Sequence, residues 1–219
     1  MKIKKNDFIE IEFVGRIKDT GEIFDTNIKE EAEKINLQIE TKPLIVCVGG
    51  GMLVKGFDKV LEEKEIGKKY KITLVPEDSF GLRNPQLIKI IPMRAFKEKK
   101  MNPTAGMMLN FDGMIAKIIT ASGGRVITDF NNPMAGKDIE YEFTTKKKVE
   151  DEKDKINALQ DFFFKQRFSF SIKEKKIIFE KKAEPFLKIF GEKFKEILEK
   201  NSDIEKSSEL SNIKHTKQK

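Results

Sequence analysis

Cys47 and His215 are the only cysteine and the only histidine in a chain of 219 residues. Catalysis by a Ser/His/Asp or Cys/His set therefore lacks its members, since His215 stands in a polar C-terminal stretch. A zinc site of Cys and His ligands is missing its ligands for the same reason. One cysteine makes no intrachain disulfide, which points to a reducing compartment, the cytoplasm. Gly49-Gly50-Gly51 invites comparison with a phosphate cradle, but the Walker spacing and the closing Lys-Ser/Thr pair are absent, so it reads as a flexible turn. Neither a cofactor nor a metal is expected. What remains is the chemistry of apolar surfaces: 18 phenylalanines, and eight methionines, most of them between Met93 and Met134. Methionine is flexible and polarizable, so a surface rich in it adapts to many partners.

The surroundings are densely ionic. Charged residues make up 36% of the chain and apolar ones 38%, so a core forms beneath a charged surface. The net charge of +7 is spread along the chain rather than gathered on one element, so nucleic acid is not the expected partner. No run approaches the ~20 apolar residues of a membrane span, and the opening MKIKKNDF has no apolar signal core.

Several elements must position these side chains. Ile9, Ile11 and Phe13 alternate with Glu10 and Glu12, which predicts a half-buried strand over Phe8–Val14. A turn at Asp19-Thr20-Gly21 leads to a returning strand at Glu22–Asp25, and a short helix is expected at Lys29–Ile35. Pro43–Val48 reads as a buried strand. Gly56–Glu63, with Phe57, Val60 and Leu61 at helical spacing, reads as a short amphipathic helix. Tyr70, Ile72 and Leu74 mark a further strand, and Ile139, Tyr141 and Phe143 the last of this region. Between them, from Asn84 to Asn131, short apolar runs separated by Pro and Gly form a small β-rich unit. The charged Lys146–Lys155 segment reads as a boundary. Beyond it comes a helix carrying Ile156, Leu159 and Phe163, then a hairpin through Phe168–Phe179. A helix with Phe186, Leu187, Phe190, Phe194, Ile197 and Leu198 on one stripe follows. Asn201–Lys219 is polar and expected to be disordered.

Motifs then line up in one order: Phe13-Val14-Gly15, Gly21-x-x-Phe24-Asp25, Pro43-Leu44, Leu53-Val54-Lys55-Gly56-Phe57, Ile66-Gly67 and Phe80-Gly81, with Phe143 closing the last strand. This pattern resembles the FKBP-type peptidyl-prolyl isomerases. The insertion after Gly81 and its exit through Asp129–Lys137 resemble the SlyD-like branch, in which an insert-in-flap chaperone domain interrupts the isomerase domain. The C-terminal unit resembles the long archaeal members.

The resemblance implies an α+β fold. An antiparallel FKBP sheet wraps a short helix, with an inserted small β-rich domain and a C-terminal helix-hairpin-helix (αββα) domain. The implied domains are 1–83 plus 132–148 for the isomerase, 84–131 for the insert and 149–200 for the C-terminal domain, with 201–219 a tail.

It also implies a pocket in which Phe57 is the floor, Phe13, Phe24, Leu44, Leu53, Val54, Phe80 and Tyr141 are walls, and Asp25 is the single carboxylate. The backbone N–H of Val54 would hold the substrate chain. Rotation about an X–Pro bond faces a barrier of about 18–20 kcal/mol. A dry aromatic pocket favours the twisted, less polar amide and needs no nucleophile. Two departures stand out: Phe13 and Phe80 replace tyrosines frequent in the family, and Asn132 stands where the branch often has His. The first implies weaker activity, and the lack of a His-rich tail implies no nickel role. Leu87, Ile90, Ile91, Met93, Met107 and Met114, with Met101 and Met108, are the expected capture surface of the insert. The implied partners are unfolded or partly folded proteins with X–Pro bonds, and a second copy through the C-terminal domain. The alternative is a non-catalytic polypeptide-binding chaperone on the same fold; RNA association through the Lys-rich surface is a further reading.

Overall fold

The computed structural model describes residues 1–36, 42–173, 176–199 and 201–204. In chain order the elements are β1 (Phe8–Ile17), β2 (Ile23–Thr26), α1 (Lys29–Lys34), β3 (Leu44–Cys47), α2 (Lys55–Leu61) and β4 (Lys69–Leu74). Then come β5 (Ile88–Pro92), α3 (Met93–Glu98), β6 (Met108–Phe111), β7 (Met114–Ser122), β8 (Arg125–Asp129) and β9 (Ile139–Lys148). The last part holds α4 (Glu152–Leu159), a single π turn at Gln160–Phe164, β10 (Phe170–Lys173), β11 (Lys176–Phe179), α5 (Glu184–Leu198) and β12 (Asn201–Ile204). Strands β2, β1, β9 and β4 are neighbours in that order, with β3 also on β1. This is a mixed α/β chain with antiparallel sheets.

Contacts divide the chain into two units. The first comprises Met1–Val14, Asp25–Lys71 and Glu142–Lys219, so the C-terminal segment groups with most of the first strands. Here β3 pairs antiparallel with β1, Ile9 opposite Val46 and Ile11 opposite Leu44. All four of these except Leu44 are fully buried, as the alternation requires. The outward-facing acids on β1 have partners: Lys147 pairs with Glu10, and Lys146 with Glu12. The start of the basic run expected to be a boundary is thus the solvated end of β9, which continues to Lys148. α4 starts soon after, capped by the Asp151 carboxylate, which accepts from the Asp154 N–H.

The C-terminal segment closes on its own aromatic core. Phe164, 3% exposed, stacks on Phe194 at 5.0 Å and touches Phe168, Phe179, Phe186 and Phe190. Here α4, the antiparallel β10–β11 pair and α5 follow in that order, and the order does not stop there. β12 pairs parallel with β11, which turns the hairpin into a three-stranded sheet. Residues 201–204, assigned by their polarity to a disordered tail, therefore form a strand. Polarity misleads here because the strand is recruited by β11 rather than by its own side chains. The rest of the expected tail, 205–219, lies outside the described residues.

The second unit comprises Gly15–Phe24 and Ile72–Tyr141. Its insert is a four-stranded sheet in the order β5, β8, β7, β6. Phe96, Ile118 and Val126 make a small core, with Ile91, Met93, Met101, Leu109 and Phe111 packed against it. Phe96 comes from α3, a helix the sequence reading did not contain, because Pro92 and the short run after it suggested only a break.

Candidate functional site

Phe13 is held through both its N–H and its carbonyl. Its N–H donates to Asn27 Oδ1 at 2.8 Å and its carbonyl accepts from Thr26 Oγ1 at 2.7 Å. Asn27 Nδ2 donates to the Ile11 carbonyl at 2.8 Å. Thr26 and Asn27 thus fix the backbone that presents the Phe13 ring, and neither was named from the sequence. Their adjacency to Asp25 was the only available signal. The Phe13 ring meets Phe57 edge-on at 6.3 Å, and Phe57 in turn lies 4.8 Å from Phe143. Phe57 is 1% exposed and sits on the first turn of α2, facing inward.

The glycine loop before α2 is not a loose turn. Asp58 is buried, and its two carboxylate oxygens accept from the N–H groups of Gly49 at 2.8 Å and Gly51 at 3.0 Å. Both glycines hold positive φ, +77° and +71°, where a side chain would be strained. This clamp positions Leu53 and Val54, both half-buried. Val54 is the N-cap of α2 with extended backbone (φ −59°, ψ 143°), so its N–H precedes the helical hydrogen-bond ladder. Asp58 carries the loop geometry yet escaped the sequence reading, which treated the helix only as an apolar stripe.

The remaining rings belong to the second unit. Phe24 meets Phe80 edge-on at 5.6 Å and Tyr141 at 5.9 Å. Gly15 lies against both: a Cβ there would come within 2.8 Å of the Tyr141 ring and 2.9 Å of the Phe24 ring. The glycine of Phe13-Val14-Gly15 is therefore required by close approach of two rings.

Asp25 stands at a rim, an exposed residue whose carboxyl is nonetheless partly desolvated. That desolvation raises its pKa above 3.8, against the lowering effect of the Thr26 backbone N–H. Cys47, fully buried, has its thiol pushed up to about 12 by burial, then by the charge of Asp58. Such a thiol is not a nucleophile. Among the described residues no cluster of three or more His, Cys, Asp or Glu is placed to hold a metal ion. None of their helices is long and apolar enough to cross a membrane.

The expected capture surface is partly rearranged. Leu87, Ile90, Met107 and Met114 are exposed, Ile90 at 63% and Met114 at 61%. Ile91 and Met93 instead pack on the insert core, because Ile91 opposes buried Val126 and α3 supplies Phe96 beneath them. Met101 joins them there. Ile115, 62% exposed, is an apolar surface residue the methionine count overlooked.

Comparison with known proteins bears on these features together. The family model described as FKBP-type peptidyl-prolyl cis-trans isomerase matches residues 1–101, and one described as FKBP26, IF domain, matches 89–134. The short-type peptidyl-prolyl cis-trans isomerase of Methanocaldococcus jannaschii is 32% identical over 142 residues, covering 64% of this chain and 89% of its own. The chain belongs to the FKBP-type peptidyl-prolyl cis-trans isomerases. Two SlyD proteins of that name are also similar to this FKBP-type chain. That of Helicobacter pylori is 26% identical over 61% of this chain and 68% of its own. That of Haemophilus influenzae is 28% identical over 64% and 70%. Within this FKBP-type chain, Phe13, Asp25, Leu44, Phe57 and the Leu53-Val54 turn lie in the region of the first family model, as do Phe24 and Phe80.

Proposed function

We propose that this chain isomerises X–Pro bonds in an apolar aromatic pocket and captures unfolded chains on its insert. The observation that carries the first half is the way the motif segments hold their rings: Phe24 against Phe80 and Tyr141, and Phe13 against Phe57. Each set is a rigid apolar surface of the kind a prolyl ring requires. In the proposed mechanism the substrate proline rests on Phe57 and the Val54 N–H holds the substrate backbone. The walls exclude water, so the planar amide loses more solvation than the twisted one, and the barrier falls. Asp25 orients a neighbouring substrate group, and burial of its carboxyl raises its pKa above 3.8.

The second half rests on a sheet face that is exposed among the described residues. In the insert Ile90 opposes Ile127, Asn110 opposes Ile115 and Met108 opposes Lys117, and these positions share the side turned away from the core. Ile90, Met108 and Ile115 are 63%, 48% and 62% exposed. Apolar residues grouped on one exposed face mark a binding surface. Weak capture there raises the effective concentration of prolyl segments.

A protease-free tetrapeptide isomerisation assay, run beside refolding of a proline-limited protein, tests both halves. Deletion of 84–131 should leave tetrapeptide turnover mostly intact and sharply reduce refolding catalysis; equal losses would sink the division of labour. The competing reading, a chaperone that binds without isomerising, draws on Phe13 and Phe80 lacking the tyrosine hydroxyls. It predicts no tetrapeptide turnover, with refolding yields still raised.

A further inference from the structure

A cavity of about 530 Å³ opens within the first unit, lined on one side by residues from β1, β2 and β3 and on the other by the α4 and π-turn segment. The first side supplies Phe13, Asp25 and Leu44, three residues of the proposed prolyl site. The other supplies Ala158 from α4, with Phe162 and Lys165 from the π turn and the residue that ends it. The size falls in the range of about 300–1,000 Å³ typical of ligand sites and exceeds what one prolyl ring fills.

The second wall is built firmly. α4 packs on β3, with Ile156 and Leu159 fully buried, and the Val149 N–H donates to the Phe8 carbonyl at 2.8 Å. The π turn closes with Lys165 in the left-handed region (φ 56°), which brings its ammonium 4.9 Å over the Phe162 ring. Asp161 receives both the Nε and Nη2 of Arg167, at 2.8 and 2.7 Å, and so ties the turn to the residues after it. Gln160, fully buried, accepts from the Phe168 N–H at 2.7 Å. Phe162 is left half-exposed at the cavity while its neighbour Phe164 is buried.

We infer that the α4 and π-turn segment is a specificity wall of the prolyl groove, at which Phe162 and Leu44 take an apolar side chain flanking the substrate proline. The inference rests on the isomerase reading of Phe13, Asp25 and Leu44, since it is their shared membership of the cavity that joins the two. Phe13 borders this space, so a chain whose proline lay beside Phe13 would have it as a neighbour. The surfaces it meets, Leu44, Pro43, Ala158 and Phe162, are apolar. At the rim the basic and acidic groups are matched in number, Lys42, Lys165 and Arg167 beside Asp25, Asp154 and Asp161, so no single charge is selected.

The test is equilibrium binding of proline peptides to the full chain, followed by amide NMR, so that it reads contact rather than turnover. Peptides carrying Leu or Phe beside proline should bind about tenfold tighter than their Ala counterparts, the discrimination an apolar pocket gives. They should also move the signals of Ala158 and Phe162. Phe162→Ala should erase the preference, bringing the Leu and Phe peptides down to the affinity of the Ala peptide. The wild-type signals decide the matter even where that variant folds poorly. Equal binding of all peptides, unmoved Phe162 signals, or a preference for Glu or Lys beside proline would overturn the wall. Preference without any isomerisation of the same peptides would instead sink the isomerase reading and leave the wall standing.

Discussion

Asn84 and Asn131 bond each other in both directions: the Asn84 N–H donates to Asn131 Oδ1 at 2.8 Å, and Asn131 Nδ2 returns a bond to the Asn84 carbonyl at 3.0 Å. The same Nδ2 reaches Asp129 Oδ1 at 2.7 Å, and Asp129 pairs with Arg83. The two chain crossings at the base of the insert are therefore clasped. Asn131 is 8% exposed, so Asn131→Ala strands polar groups and should destabilise by about 1–3 kcal/mol. Under the proposed capture role, loosening the base would also dilute captured segments. Refolding catalysis should fall several-fold while tetrapeptide turnover holds; a matched fall in both would remove the clasp from the mechanism.

Asp58 clamps the glycine loop through charge-assisted bonds, each contributing about 1.5–3 kcal/mol. Asp58→Ala should lower the melting temperature and, by releasing Leu53 and Val54, reduce kcat/KM for tetrapeptides by about tenfold. Unchanged turnover in a folded variant would show that the loop needs no anchor.

Gly15→Ala forces a methyl group against two rings, Phe24 and Tyr141. Overpacking of this kind costs about 1–3 kcal/mol. Isomerase activity should fall more than fluorescence-detected peptide capture by the insert, since the strain falls on pocket walls. Denaturant unfolding and the tetrapeptide assay check the two parts.

Acid should act on two aspartates with opposite sign. At Asp129, burial opposes ionisation, but the Asn131 N–H and amide and the Arg83 guanidinium outweigh it and lower the pKa. Its stabilisation is full above pH 3.8 and is lost as pH falls through the lower native value. At Asp25 the raised pKa makes the ionised form a cost, absent below pH 3.8 and present above the raised native value. Asp25→Asn should therefore raise the melting temperature at pH 7 and not at pH 3, whereas Asp129→Asn should lower it at pH 7. Melting curves across that range decide both; reversed signs would contradict the assigned environments.

Cys47 should resist alkylation in the folded chain, with its thiol pushed up to about 12 and its side chain fully buried. Reaction with a maleimide should follow global unfolding. Rapid labelling in native buffer would show that β3 opens locally.

The local pattern was enough for several things. Alternation in Ile9, Ile11 and Phe13 set the face of β1, helical spacing put Phe57 inward on α2, and the spaced Phe and Gly motifs marked the family. Those signals lie within a few residues of one another, so they survive in one dimension. Only the folded chain decided that Lys146 and Lys147 answer Glu12 and Glu10, and that β11 recruits Asn201–Ile204. It alone sent Ile91 and Met93 to the insert core while leaving Ile115 outside, and brought Phe162 to the cavity of Phe13. Each depends on a register or packing between segments far apart in the chain, and side-chain chemistry alone carries no record of which distant segment will lie opposite.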